Sequence, residues 1–160
     1  MGSPIAGIEV RVAGAGDLAA IASLRSQWTG DTEHDPVLER RIGEWLEAEG
    51  ERRTTWLAMA GELPVGMAGL VEFVRMPRPG KPTSRWGYVS STFVRQEFRG
   101  AGIGAALLDA LTATADERSY VRLIVSPSEE SFSFYRRGGF LDPGGAPEAE
   151  ALLVRPGPVP

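Results

Sequence analysis

Phe93-Val94-Arg95-Gln96-Glu97-Phe98-Arg99-Gly100-Ala101-Gly102-Ile103-Gly104 joins two segments of different periodicity. Before it, Trp86 to Val94 is β-prone. After it, Ile103, Leu107, Leu108 and Leu111 recur at helical spacing, which predicts a helix from near Gly102 to about Arg118. A strand that ends in a glycine-rich turn and opens a helix presents unpaired N–H groups at the positive end of the helix dipole. With glycines at 100, 102 and 104, no Cβ stands between those amides and a ligand, so the turn suits an anion such as a diphosphate. The plainer reading is a tight strand-to-helix connection and nothing more. Two other phosphate-binding arrangements do not match: no Gly-Lys-Ser/Thr closes the turn, and the spacing misses the G-x-G-x-x-G of dinucleotide folds.

Outward from this turn, period-two alternation over Ile8 to Val12 predicts a first strand. Leu18, Ile21, Leu24 and Trp28 predict a helix from Asp17 to near Gly30. Asp35-Pro36 reads as a second helix start, with Leu38, Ile42, Trp45 and Leu46 as its apolar stripe and Gly50 as its stop. Thr54 to Ala60 and Val65 to Val74 read as a hairpin around Gly61-Glu62-Leu63-Pro64, and the proline-rich stretch from Met76 to Pro82 reads as a loop. Beyond the long helix, Tyr120 to Val125 is a nearly continuous β-prone run, the pattern of a strand covered on both faces. Ser128 to Arg137 reads as a helix closed by Gly138-Gly139. A last strand from about Glu150 to Arg155 follows the turn-rich Gly144 to Pro147. The expectation is one α/β domain over residues 1–155 with a mixed sheet, followed by a disordered tail at 156–160.

The chain has 160 residues and a formal net charge of −4, which argues against a nucleic-acid partner. It has no cysteine, so a disulfide framework, a thiolate metal site and a cysteinyl intermediate are excluded. His34 is its only histidine, and no metal site is expected. Neither a secretory signal nor a run of roughly 20 apolar residues is present, so no membrane partner is expected and a cytoplasmic location is the default.

Arg99-x-x-Gly102-x-Gly104, with Phe93-Val94 and Phe98 before it, closely resembles the signature motif of the GNAT N-acetyltransferases. A second segment, Ser128-Glu129-Glu130-Ser131-Phe132-Ser133-Phe134-Tyr135-Arg136-Arg137-Gly138-Gly139-Phe140, is similar to that superfamily's later motif, with Ser128 at the position of an Asn. The agreement in element order extends from about Ile8 to Arg155. The resemblance implies a GNAT-like fold, a central mixed β-sheet flanked by about four helices, with acetyl-CoA as cosubstrate. It implies that Thr92, Phe93 and Val94 run beside pantetheine and that Arg99, Gly100, Ala101, Gly102, Ile103, Gly104 and Ala105 wrap the diphosphate. Ser128, Ser131 and Tyr135 complete the cofactor set.

Acyl transfer to an amine needs a neutral nucleophile, donors near the thioester oxygen and a proton for the departing thiolate. By resemblance Tyr135 is the proton source; the alternative is a tyrosine packed in the core. Ser90 stands where many members carry a glutamate base, so Glu72 acting through water is the expected base, with Asp31, Glu33 and His34 as other options. The acceptor is a small-molecule or peptide amine. Trp28, Asp31 and Glu33 are its expected contacts, and the carboxylates of the connection from Thr29 to Pro36 would favour a cationic acceptor if they face the site. A solvated loop is the other reading of those carboxylates. The reading leaves room for a homodimer. A non-catalytic CoA- or nucleotide-binding module and a dinucleotide-dependent oxidoreductase are the competing functions.

Overall fold

The structure, a computed structural model, describes residues 5–31, 34–142 and 152–158. The predicted turns at Gly144 to Pro147 and the start of the last strand at Glu150 lie outside them. Strands β1 (Glu9–Val12), β2 (Arg53–Ala60), β3 (Leu63–Val74), β4 (Arg85–Val94), β5 (Arg122–Val125) and β6 (Leu153–Pro156) form one sheet in sequence order. Helices α1 (Leu18–Trp28) and α2 (Pro36–Glu49) follow β1, α3 (Ile103–Glu117) links β4 to β5, and α4 (Phe132–Arg137) follows β5. All neighbours are antiparallel except β4 and β5, whose parallel pairing requires the α3 crossover.

Alternation along β2 shows how the two faces are filled. Trp56 and Ala58 point to the side where Ile103, Leu107, Leu108 and Leu111 of α3 pack. Leu57 and Met59 point to the other side, against Ile21 and Leu24 of α1, with Ile42 and Leu46 of α2 beside them. Period-two side chains with helices on both faces produce the uninterrupted buried runs of β2 and β3. Asp35 caps α2 as its sequence suggests, accepting from the Val37 N–H at 2.9 Å.

Four sequence expectations shift. The hairpin turn is only Gly61-Glu62, because Leu63 and Pro64 belong to β3; an unpaired Val65 bulges between Pro64 and Gly66 and accommodates the proline. β5 is not covered on both faces: Leu123 and Val125 are buried, whereas Arg122 and Ile124 are half-buried and Val121 is exposed. The helix expected over Ser128–Arg137 begins as a 3-10 turn at Glu129–Ser131 and becomes α-helical only at Phe132. Order also continues past the expected domain end at Arg155, since Pro156 pairs with Arg122 and the Gly157 N–H donates to the Val121 carbonyl at 2.9 Å.

β4 positions the site. Between Met67 and Gly69 of β3 its register slips by one residue, a bulge on β4 that holds Ser91 at φ +52°. A Cβ at position 69 would come within 3.0 Å of the Ser90 carbonyl oxygen, so glycine fits the bulge without displacing the backbone opposite. On its other side β4 pairs with β5 only from Gly87 to Val89. From Ser90 to Val94 the two strands have separated.

β6 is tied to α3 by a bidentate pair: Arg155 donates to both carboxylate oxygens of Asp116 at 2.7 and 2.8 Å. The hydrogen bonds from Arg155 hold the Asp116 carboxyl below its ordinary value of 3.8. A carboxyl depressed in the folded state stabilises fully above its unfolded value, and that contribution is lost as pH falls through the folded one. Asp116→Asn should therefore lower Tm at pH 7 by no more than about 2–4 °C, the scale of one partly exposed ion pair in a domain this size. Thermal melts at stepped pH should show the gap closing below about pH 4.

Candidate active site

The separation of β4 from β5 opens a groove of about 770 Å³, walled by the end of β4, the turn before α3, the start of α3 and α4. Gly102, at φ +85°, is the N-cap of α3 and offers no side chain to its amides. The first intrahelical bond runs from the Ala106 N–H to the Gly102 carbonyl at 3.0 Å. The N–H groups of Ile103, Gly104 and Ala105 are thus left without a partner among the described residues, at the positive end of a four-turn helix. A Cβ at Gly100 would meet nothing within 4 Å, and one at Gly102 only Ile5 at 3.8 Å, so both glycines border open space. Gly104 has a second reason to lack a side chain, since a Cβ there would press on the Phe134 ring at 3.2 Å. The Arg99 guanidinium folds back to donate to the Val94 carbonyl at 3.0 Å.

Of the residues expected to hold a cofactor, Thr92, Phe93, Val94, Arg99, Gly100, Gly102, Ile103, Gly104, Ala105, Ser128 and Ser131 all line this groove; Ala101 does not. Ser128 and Ser131 share a hydroxyl hydrogen bond at 2.8 Å, and Ser128 does not cap the turn it opens. Trp28 lines the groove as well, stacked on Phe93 at 5.7 Å. Tyr135 lies behind the wall instead of on it. Its ring is buried edge-on to Phe134 and Phe140, and burial raises the pKa of its hydroxyl. The neighbouring Thr92 hydroxyl pulls the other way but makes no hydrogen bond of good geometry, for Thr92 Oγ1 is buried and has no partner.

Glu72, the base that the sequence suggested, is not brought to the groove or to its end of β4. It pairs in register with Gly87, at the far end of β4 from Val94, and accepts a hydrogen bond from the Tyr120 hydroxyl with Arg85 and Arg118 beside it. Burial, with Glu72 as acceptor, pushes the Tyr120 pKa up to about 12, so this cluster is a structural latch. His34 is exposed beside Glu39. Asp31 is exposed and lines neither cavity described here, and Glu33 lies outside the described residues.

Sequence reasoning missed Phe98, Leu108, Asp109, Glu130, Phe134, Arg137 and Gly138 on the groove wall. Most follow from helix geometry once the turn is placed. Leu108 and Asp109 stand one turn beyond Gly104 and Ala105, and Phe134 and Gly138 share a face with Ser131.

A second cavity of about 380 Å³ lies on the other face of the sheet, between α1, α2 and the middle of β2, β3 and β4. Ser91 and Gly69 lie at its sheet side, and Arg25, Arg41, Trp45 and Arg53 are among its walls. Consecutive residues of the β4 bulge thus face different cavities, Ser91 this one and Thr92 the groove.

The acetyltransferase (GNAT) family profile matches residues 18–140. A glucosamine 6-phosphate N-acetyltransferase from Trypanosoma brucei brucei is 32% identical over 76 residues, 48% of this chain; the match spans 50% of that protein's length. The fold is similar to the crystal structure of a Trypanosoma brucei acetyltransferase, with a TM-score of 0.71 at 24% identity over 89% of this chain and 98% of the other. It is also similar to a predicted acetyltransferase from Clostridium acetobutylicum crystallised with acetyl-CoA, with a TM-score of 0.67 at 22% identity over 89% and 95% of the two chains. At these identities the two structures speak for the fold alone.

The unpaired amides of α3 generate a direct test. Gly102→Val places a branched side chain in open groove space and at a left-handed φ, so the fold should survive with a local strain of roughly 1–3 kcal/mol. Affinity for acetyl-CoA should fall at least tenfold in a calorimetric titration, and an unchanged affinity in a folded variant would remove the turn from the binding site.

Proposed function

The chain belongs to the GNAT acetyltransferase family, and from that premise we propose that it transfers an acetyl group from acetyl-CoA directly to a primary amine. The observation that carries this reading is the continuity of two donor sets. The free edge of β4 from Ser90 to Val94 leads into the unpartnered amides at Ile103 to Ala105. A ligand with amides along a flexible arm and a diphosphate at its end matches both. When bound, acetyl-CoA supplies the acetyl group as a thioester, activated toward an amine.

The chain's own residues then have separable tasks. The edge of β4 pairs with the pantetheine amides, and the start of α3 accepts the diphosphate into a cradle without Cβ atoms. Amides near Val94 face the negative charge that develops on the carbonyl oxygen. Tyr135, kept neutral by burial, donates the proton that the departing thiolate needs, with the unpartnered Thr92 hydroxyl between it and the groove. With no cysteine in the chain, the acetyl group passes to the amine without an acyl-cysteine stage: the nitrogen bonds the carbonyl carbon, the C–S bond breaks, the proton lost by nitrogen goes to water, and Tyr135 regains its own from solvent.

No carboxylate lines the second cavity among the described residues. That suits an acceptor whose amine gives up its proton to water near neutral pH, in the manner of an α-amine with a pKa near 7.7–8.0, over a lysine-like amine near 10.4. Because a similar protein is named a glucosamine 6-phosphate N-acetyltransferase, glucosamine 6-phosphate and glucosamine head the amine panel for a thiol-release assay. Acetyl-CoA binding without transfer to any amine would instead make the chain a CoA-binding module.

Tyr135→Phe keeps the ring in its aromatic cluster and removes only the hydroxyl. Its single-turnover rate of thiol release should fall about 10²-fold, with acetyl-CoA affinity within about twofold of the parent. A parental rate would return Tyr135 to a packing role.

A further inference from the structure

We propose that the second cavity is the acceptor site and that it selects an amine bearing an oxyanion group, a phosphate or a carboxylate. This rests on the acetyl-transfer reading and adds the substrate class. Position supports it first. The cavity and the groove adjoin at the β4 bulge, where Ser91 lines one and Thr92 the other. Arg25 of the cavity stands one turn of α1 from Trp28 of the groove, so the two spaces meet on that helix as well. An amine held in the cavity therefore has its nucleophile directed at the end of β4, where the groove would present the thioester.

Charge supplies the class. Arg25, Arg41 and Arg53 all line the cavity, and no described carboxylate does. Arg53 is already committed: it donates to Glu49 at 2.9 and 3.0 Å and to the Ser90 hydroxyl at 3.2 Å, with its guanidinium 4.3 Å from the Trp45 ring centre. That leaves Arg25, resting 4.9 Å from the Trp28 ring centre, and Arg41, neither of which forms an ion pair among the described residues. Two guanidinium forks with no carboxylate partner among the described residues, at a cavity in a chain of net charge −4, form a local positive field. Their planar donor pairs match phosphate and carboxylate oxygens. The apolar floor of Ile21, Ile42, Leu46 and Met67 accepts the body that carries both amine and anion. The proposal runs against the expectation of a cationic acceptor drawn from Asp31 and Glu33: Asp31 does not line the cavity, Glu33 lies outside the described residues, and the described charges that line it are positive.

Matched acceptors test this. Glucosamine 6-phosphate against glucosamine isolates the phosphate, phenylalanine against phenylalaninamide isolates the carboxylate, and spermidine represents the cationic class. Calorimetric titration of each into the protein, with thiol-release KM where transfer occurs, should show at least one anionic member favoured over its partner by about tenfold or more. Arg25→Gln and Arg41→Gln should each raise that preferred KM or Kd about tenfold and leave the value for the partner lacking the oxyanion, and acetyl-CoA affinity, unchanged. Arg41→Lys should recover part of the loss. Equal or tighter binding of the members lacking the oxyanion or of spermidine overturns the proposal, as does an unchanged value for the anionic acceptor in the double Gln variant at low salt. Failure to bind acetyl-CoA would defeat the acetyl-transfer reading, while the acceptor titrations would still decide what the cavity selects.

Discussion

Strand β4 holds a partner on each side only as far as Val89; beyond that point it keeps β3 and loses β5. Most of the functional architecture depends on this parting. An unpaired strand edge inside a domain is normally a defect, because its amides and carbonyls need partners. Here the edge opens onto a groove, where a ligand can complete it. The bulge at Ser91 sits at the same place, and a bulge increases local twist and re-aims side chains. Holding a serine in the left-handed region costs roughly 1–2 kcal/mol. The conformation persists because Gly69 leaves room beneath it and Arg53 donates to the adjacent Ser90 hydroxyl.

The far end of the sheet does the opposite job. Tyr120, Glu72, Arg85 and Arg118 close the bottom of the β3–β4–β5 junction, and Arg155 fastens β6 to Asp116 on α3. β4 and β5 are therefore held together at one end and free at the other. Glu72 belongs to that latch and lines neither the groove nor the second cavity.

The fold was legible where the signal was local. The glycine turn at 100–104, the Asp35-Pro36 cap and the alternation in β1 each follow from backbone preferences, and each element formed where those preferences place it. The groove wall was legible for the same reason, since the turn into α3 presents unpartnered backbone amides at a helix start. What escaped depends on which strands and helices meet. Nothing near Glu72 in the sequence announces Tyr120, which is 48 residues away. The β-prone run at Tyr120 looked buried on both faces because its apolar content says nothing about whether a neighbour covers the second face. Tyr135 was legible as an aromatic in a helical motif, whereas its place behind the groove wall follows from packing against Phe134 and Phe140.

Charge around the second cavity was the least legible property, for a physical reason. Asp31, Glu33 and Asp35 are close in sequence and suggest a negative patch, but a connection between helices can turn its side chains to solvent without cost. Asp35 spends its carboxylate on the first turn of α2. Arg25, Arg41 and Arg53 are scattered over α1, α2 and β2, and no sequence window contains them together. They converge because α1 and α2 both pack on the face of the sheet that carries Leu57, Met59 and Met67, which leaves one cavity between the helices and the bulge. An electrostatic field is a property of that convergence, so its sign could be read only after the helices were placed.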